Sequence, residues 1–268
     1  MPLADFVSPF LRHRALLGAL ARRELASRYR GSFLGNLWMV ITPLLMLGMY
    51  TFVFGVIFHS RWQGLGNQGV ASFAIVLFAG LLLHTLLSDT LGRAPGLILE
   101  EPNYVTKVVF PLELLGCVTM LTALVHFLVG FCLLLLVMAF LMPPIPLATL
   151  WIPLIVIPFT FYLLGLGWLA AAIGVYLRDL SQLMGTLVSL LLFLSPVFYP
   201  RDKAPAGLGH VLLLNPLTIP VEQVRRALFH GLMPQPGVMA IYTLGGVLVY
   251  LLGLTVFHKL RRGFSDVM

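Results

Sequence analysis

The 268 residues are 59% hydrophobic and 10% charged, against about 25% charge in an average soluble domain, which excludes a chain that faces water on all sides. The formal net charge of +7 fits cations held on the cytoplasmic side of a membrane rather than a nucleic-acid surface. The composition predicts an all-α polytopic membrane protein, organised as one membrane domain.

No secretory leader is expected, because Met1 to Ala15 is charged, broken by Pro2 and Pro9, and without an apolar stretch. Ser8 as a cap and Pro9 in the first turn predict an early helix, which Gly31 ends. Leu16, Leu17, Leu20 and Leu25 recur near helical spacing with Arg22, Arg23 and Arg28 between them, the pattern of a helix lying in the membrane surface. An anchor for lipid headgroups and a docking surface for a partner fit that pattern alike.

Six stretches approach the length of a membrane span: Asn36 to Phe58, Val70 to Leu91, Glu113 to Leu141, Leu147 to Tyr176, Gln182 to Tyr199 and Val238 to Phe257. The third and fourth are long enough to tilt. The fifth is the shortest and ends at Pro196 and Pro200. With the N-terminus inside, twelve Lys and Arg fall in inner segments and five in outer ones (Arg61, Arg201, Lys203, Arg225 and Arg226), which puts both termini in the cytoplasm. The expected organisation is a cytoplasmic helix over 1–32, spans one to five over 36–199, an extracytoplasmic segment over 200–237, span six over 238–258 and a cytoplasmic tail over 259–268.

The inner loop from Gly92 to Leu112, with Glu100, Glu101, Pro102 and Asn103, is too polar to span and is read as a solvated loop or one short helix. The outer segment from Pro200 to Gly237 holds six prolines and four of the five outer cations. Its two apolar stretches, Gly209 to Leu214 and Pro220 to Phe229, suit re-entrant or surface-lying helices. In the second, Val221, Val224, Leu228 and Phe229 are expected on one face and Glu222, Arg225 and Arg226 on the other.

Within the spans, His84 and His126 are the clearest polar residues and are expected to make structural hydrogen bonds. Asp89, Glu113, Arg178 and Asp179 lie near span ends, which speaks against a proton path and a secondary transporter. Tyr50, Phe54 and Phe58 recur at steps of four and share a face, while Phe193, Phe198 and Tyr199 cluster at the outer end of the fifth span. Such rings either line a sugar path or form an interfacial belt. Gly165, Gly167, Ala170, Ala171 and Gly174 make a stripe suited to close helix packing. Cys117 and Cys132 fall on one predicted helix, too far apart to bridge. The sequence has no phosphate-binding Gly-x-x-x-x-Gly-Lys-Ser/Thr loop, no HExxH, no Cys-x-x-Cys and no Asp-x-Asp pair, so no catalytic residue, metal ligand or cofactor is assigned to it.

Several local motifs occur in one order: Arg28-Tyr29-Arg30-Gly31-Ser32, Leu34-Gly35-Asn36-Leu37-Trp38, Pro43-Leu44 and Phe52-Val53-Phe54-Gly55. Lys107-Val108-Val109-Phe110-Pro111, Tyr176-Leu177-Arg178-Asp179, Ser195-Pro196-Val197-Phe198-Tyr199-Pro200 and Asn215-Pro216 follow. Together they resemble the permeases of type-2 ABC exporters for cell-surface polysaccharides, above all those of the O-antigen (Wzm) kind and their teichoic-acid relatives.

The resemblance implies six transmembrane helices in a bacterial cytoplasmic membrane, an N-terminal interface helix and short re-entrant helices between spans five and six. It also implies a homodimer joined to two copies of a separate ATPase that holds ATP and Mg, and a polyprenyl-diphosphate-linked polysaccharide as cargo. Glu100, Glu101, Pro102, Asn103, Tyr104, Arg22 and Arg23 would then couple to the ATPase. Arg28 and Arg30 would stand at the cytoplasmic entrance. Tyr50, Phe54, Phe58, Phe193, Phe198 and Tyr199 would line the channel, and Glu222, Arg225 and Arg226 would belong to a gate. The alternatives are an ABC exporter for teichoic acid, capsule, lipid or drug, a membrane-embedded glycosyl- or phosphotransferase using Glu100, Glu101 or Asp179, and a scaffold without transport.

Overall fold

The computed structural model describes residues 13–58, 69–106, 110–201 and 208–267. Ser8, Pro9, Arg12, Arg61, Lys203, Pro205 and Lys107 to Val109 lie outside the described residues. Among the described residues the chain is helical with no strand.

Helix α1, Arg14–Arg28, precedes the spans. It gives way to a turn at Gly31, whose φ of +85° suits a residue without Cβ. The first span opens with a 3-10 turn at Gly35–Leu37, continues as α2, Trp38–Tyr50, and finishes as a π-helix over Thr51–Ile57. Then come α3, Gly69–Leu91; α4, Pro102–Thr106; α5, Glu113–Leu141; and α6, Ile152–Tyr176. They are followed by α7, Leu180–Phe193; α8, Leu208–Leu214; α9, Thr218–His230; and α10, Pro236–Leu260.

Among the described residues, five helical segments are long and apolar enough to cross a membrane: Gly35–Ile57, Phe73–Gly96, Glu113–Leu141, Leu147–Tyr176 and Pro236–Gly263. They coincide closely with five of the expected spans. The fifth expected span is cut short. Helix α7 stops at Phe193 after 14 residues, about 21 Å of helix against a hydrocarbon thickness of about 30 Å. Leu194 to Tyr199 continue without α-helix. The short helix expected in the inner loop is α4.

Lipid is as apolar as leucine, so burial alone does not hold spans together and close approach must. The stripe on α6 provides it. Gly165 lies against the backbone of Val249 and Tyr250, and Gly174 against Pro95, with no room for a Cβ at either. At Gly246 a Cβ would likewise come within 2.9 Å of Pro158 O, so α6 and α10 pack backbone to backbone. Trp168, almost fully buried, donates its indole N–H to Glu113 O at 3.0 Å and ties α6 to the first turn of α5. Cys117 and Cys132 are both free thiols.

The segment α8–α9 folds back onto the bundle, with α9 against α3 and α6. Val221, Val224, Ala227 and Leu228 are buried there, as a re-entrant hairpin requires. One expectation for this helix fails. Arg225 does not share a face with Glu222 and Arg226 away from the apolar side; it is buried at 7% exposure together with Val221 and Val224.

Candidate functional site

Three groups of side chains follow one another along the first span, from the end of the bundle bearing α1 and α4 to the end bearing α9. The first is a polar cluster at the α1 end. The Arg28 guanidinium straddles the Asp89 carboxylate, with Nη2–Oδ1 at 3.1 Å and Nη1–Oδ2 at 3.4 Å. Nη1 also lies 3.2 Å from His126 Nδ1, and His126 Nε2 lies 3.1 Å from the Tyr29 hydroxyl. With Nδ1 accepting from Arg28, the Nε2–H donates to Tyr29. Burial holds the Tyr29 phenol above the ordinary tyrosine range, so the ring stays neutral. Asp89 comes from α3 and His126 from α5. These two polar residues, stranded in apolar helices, thus receive their partners from the last residue of α1 and the residue after it.

Two further ion pairs fasten α1 to the loop before α4, Glu24 with Arg93 at 2.6 Å and Arg23 with Glu101 at 3.4 Å. Of the other residues expected at this end, Tyr104 stacks on Phe110 at 4.3 Å between centroids. Glu100, Pro102 and Asn103 are exposed, and so are Arg22 and Arg30, which the structure does not bring into the cluster.

A cavity of about 530 Å³ opens next. Arg28, Asp89 and His126 line one part of it, and Thr42, His84 and Tyr50 contribute elsewhere. His84 makes a hydrogen bond to Val188 O at 3.1 Å, the structural role expected of it.

The third group is aromatic. The π-helical end of the first span keeps Tyr50, Phe54 and Phe58 on one side, with centroids 6.4 and 5.9 Å apart. π-helical turns are uncommon and concentrate at functional sites. Phe54 also meets Phe73 at 5.7 Å and Phe198 at 6.3 Å, and Phe198 stacks on Phe193 at 5.7 Å. The structure therefore joins the two aromatic sets seen in the sequence into one run. Phe58 and Phe193 are its open ends, 65% and 66% exposed. Tyr199 stands beside the run and donates its hydroxyl to Phe193 O at 3.1 Å.

The run rests on a support built by the hairpin. Where α7 stops, its last carbonyls have no helical partner. Asn215 donates both amide hydrogens to them, to Leu191 O at 2.7 Å and Leu194 O at 2.9 Å, and its Oδ1 accepts from Leu217 N at 2.9 Å. Arg225 donates to Pro196 O and Val197 O. Gly80 on α3 makes room for this contact, since a Cβ there would stand 3.3 Å from Val197 and 3.4 Å from the Arg225 guanidinium. Glu222 pairs with Arg201 at 3.5 Å, and Arg226 donates Nε–H to Met233 O at 2.9 Å.

Sequence reasoning located the rings and Arg225 but not the joint role of Asn215 and Arg225, nor the Asp89–His126 cluster. The available signal was a polar group inside an apolar stretch, which must find a partner. Which partner it finds is settled by residues far away in the chain.

The family model described as "ABC-2 type transporter" matches residues 15–229. The chain is 30% identical to the O-antigen export system permease protein RfbA of Myxococcus xanthus over 266 residues, 97% of this chain and 98% of the relative. It is 24% identical to the RfbA permease of Klebsiella pneumoniae over 258 residues, 94% of this chain and 95% of the relative. To the polysialic acid transport protein KpsM of Escherichia coli it is 26% identical over 260 residues, again 94% and 95%.

Proposed function

The chain belongs to the ABC-2 type transporter family, and on that premise we propose that it is the membrane-spanning permease subunit of an ATP-driven exporter. Its cargo is a lipid-linked surface polysaccharide of the O-antigen kind, carried across a bacterial cytoplasmic membrane. The observation that carries this reading is the end-to-end similarity to O-antigen export permeases from two genera. The sequence has no phosphate-binding loop, so ATP and Mg belong on a separate ATPase, present in two copies against two copies of this chain. The positive-inside rule places both termini and the α1 end in the cytoplasm, and the hairpin end outside.

The aromatic run suits such a cargo. Pyranose rings present apolar faces that stack on phenyl rings while their hydroxyls stay hydrated, and a row of similar weak sites lets a polymer bind and release in steps. The outward faces of α2 and α7 support a path between two copies. Leu45 and Met49 on α2, and Leu183 and Leu190 on α7, are about half exposed in the single chain and apolar. ATP-driven closure of the ATPase pair, received at α1 and α4, would part these faces.

Deleting the gene should strip the polymer from the cell surface and leave the lipid-linked polymer inside, and a plasmid copy should reverse both. Surface polymer that persists after deletion would overturn the reading. A purified permease should also carry with it an ATPase containing a phosphate-binding loop.

Phe54 is the centre of the run, in contact with four other rings. Phe54→Ala removes a stacking surface worth about 0.5–1.5 kcal/mol and should slow export by about two- to tenfold, whereas Phe54→Trp should keep most of it. Pulse-labelled polymer appearing at the surface measures the rate. Equal rates in wild type and Phe54→Ala would remove the run from the polymer's path.

A further inference from the structure

After α10 the chain turns back under the bundle, through a 3-10 turn at Arg261–Gly263 into α11, Phe264–Val267. Two residues fix this turn. Phe264 has no exposed surface; its ring stands edge-on to Phe257 at 5.7 Å and lies tilted against Tyr176 at 6.1 Å. Tyr176, at the end of α6, donates its hydroxyl to Leu260 O at 2.9 Å. Gly263 sits so close to that hydroxyl that a Cβ would come within 2.6 Å of it.

Arg261 reaches the other way. It donates to Phe110 O at 2.9 Å and to Glu113 Oε2 at 3.1 Å. Glu113 is the first residue of α5, where the positive end of the helix dipole also favours its carboxylate, and its side chain is only 9% exposed. Phe110 is the residue on which Tyr104 of α4 stacks, and α11 itself lies against α4. The seat of α4 is therefore assembled from the first turn of α5, the last turn of α6 and the last turn of α10, with Arg261 and Phe264 as the two pins.

We propose that Arg261 and Phe264 are positioning residues that hold α4 rigidly on the ends of α5, α6 and α10, so that displacement of α4 moves those three helices together. The inference rests on the reading of α4 as a surface on which the ATPase acts. Without the pins α4 would hang on a loop, and the loop would absorb the movement. Glu113 would also be left as a buried carboxylate without its cation, which is costly enough to reshape the seat.

The test uses the full permease with its ATPase in proteoliposomes, reading the ratio of polymer translocated to ATP hydrolysed, with assembly followed by co-purification. Arg261→Gln and Phe264→Ala should lower that ratio about tenfold while ATP turnover and assembly persist. Arg261→Lys, which keeps the charge but loses the two-pronged guanidinium geometry, should fall between. A wild-type ratio in Arg261→Gln would overturn the proposal, and so would a parallel loss of ATP turnover and export, the mark of a purely structural role. Should Arg261→Gln fail to accumulate, Arg261→Lys decides on the same criterion. A wild-type complex that hydrolyses ATP without moving polysaccharide would instead count against the transport reading.

Discussion

Replacing Asn215 with aspartate should reduce export to background, although the new side chain has almost the same shape. The Asn215 amide donates to Leu191 O and Leu194 O, carbonyls that would otherwise end α7 unpaired inside the membrane. A carboxylate has no hydrogen to give and sets negative charge beside two oxygen atoms. Each buried acceptor left unpaired costs about 1–3 kcal/mol, and the buried charge adds to that. The sum is comparable with the whole margin by which a domain stays folded, about 5–15 kcal/mol. Arg225→Leu should act on the same joint by stripping the partners from Pro196 O and Val197 O. Arg225→Lys should retain part of the function, because an ammonium is a point donor where the guanidinium is a fork. The checks are surface polymer and the amount of folded permease extracted in mild detergent. Wild-type levels of both in Asn215→Asp would mean that α7 does not depend on the hairpin for its end.

The same joint explains why five spans could be read to their ends from the sequence while the end of the fifth could not. A run of about 20 apolar residues marks a span by itself, since the bilayer requires every backbone group to be paired within the helix. Helix α7 breaks that rule, and the repair comes from Asn215 and Arg225, which lie more than 20 positions further along. In the sequence reading Arg225 groups with Glu222 and Arg226, opposite the apolar face. Its place on the helix says otherwise, because four residues on from Val221 is a rotation of only about 40°, which puts it on the buried side. The cations of the Pro-rich segment have the same resolution. Arg225 caps carbonyls, Arg226 bonds Met233 O and Arg201 pairs with Glu222, so these three serve the hairpin. The aromatic run was half legible. Steps of four place Tyr50, Phe54 and Phe58 together, but their union with Phe198 requires the first span and the end of α7 to meet. The seat of α4 left no sequence signal beyond basic residues in a tail, the ordinary mark of a cytoplasmic end.

The other large loss is expected at Asp89. Helix α1 buries only Leu17 and Ala21, so its attachment depends on polar contacts, and Arg28 reaches partners on both α3 and α5. The two partners of this pair are 36% and 20% exposed. Breaking the pair should therefore cost less than the 3–5 kcal/mol of a fully buried one and more than an exposed bridge, about 1–3 kcal/mol. Since about 1.4 kcal/mol is tenfold in an equilibrium, Asp89→Ala should cut export about tenfold. The loss should appear as ATP hydrolysis that no longer drives export, because α1 would still meet the ATPase while its grip on α3 is gone and only the His126 contacts to α5 remain. Arg93→Ala, at a pair whose arginine is 41% exposed, should cost much less. Arg28→Asp alone faces one carboxylate with another and should do at least as much harm as Asp89→Ala. Joining it to Asp89→Arg restores opposite charges, and the double variant should recover about 0.5–3 kcal/mol relative to the sum of the single losses. Strictly additive losses would mean that Arg28 and Asp89 are not coupled. Movement entering at α1 would then have to reach the spans through its other contacts, the packing of Leu17 and Ala21, the Tyr29–His126 bond and the pairs of Arg23 and Glu24 with the loop before α4.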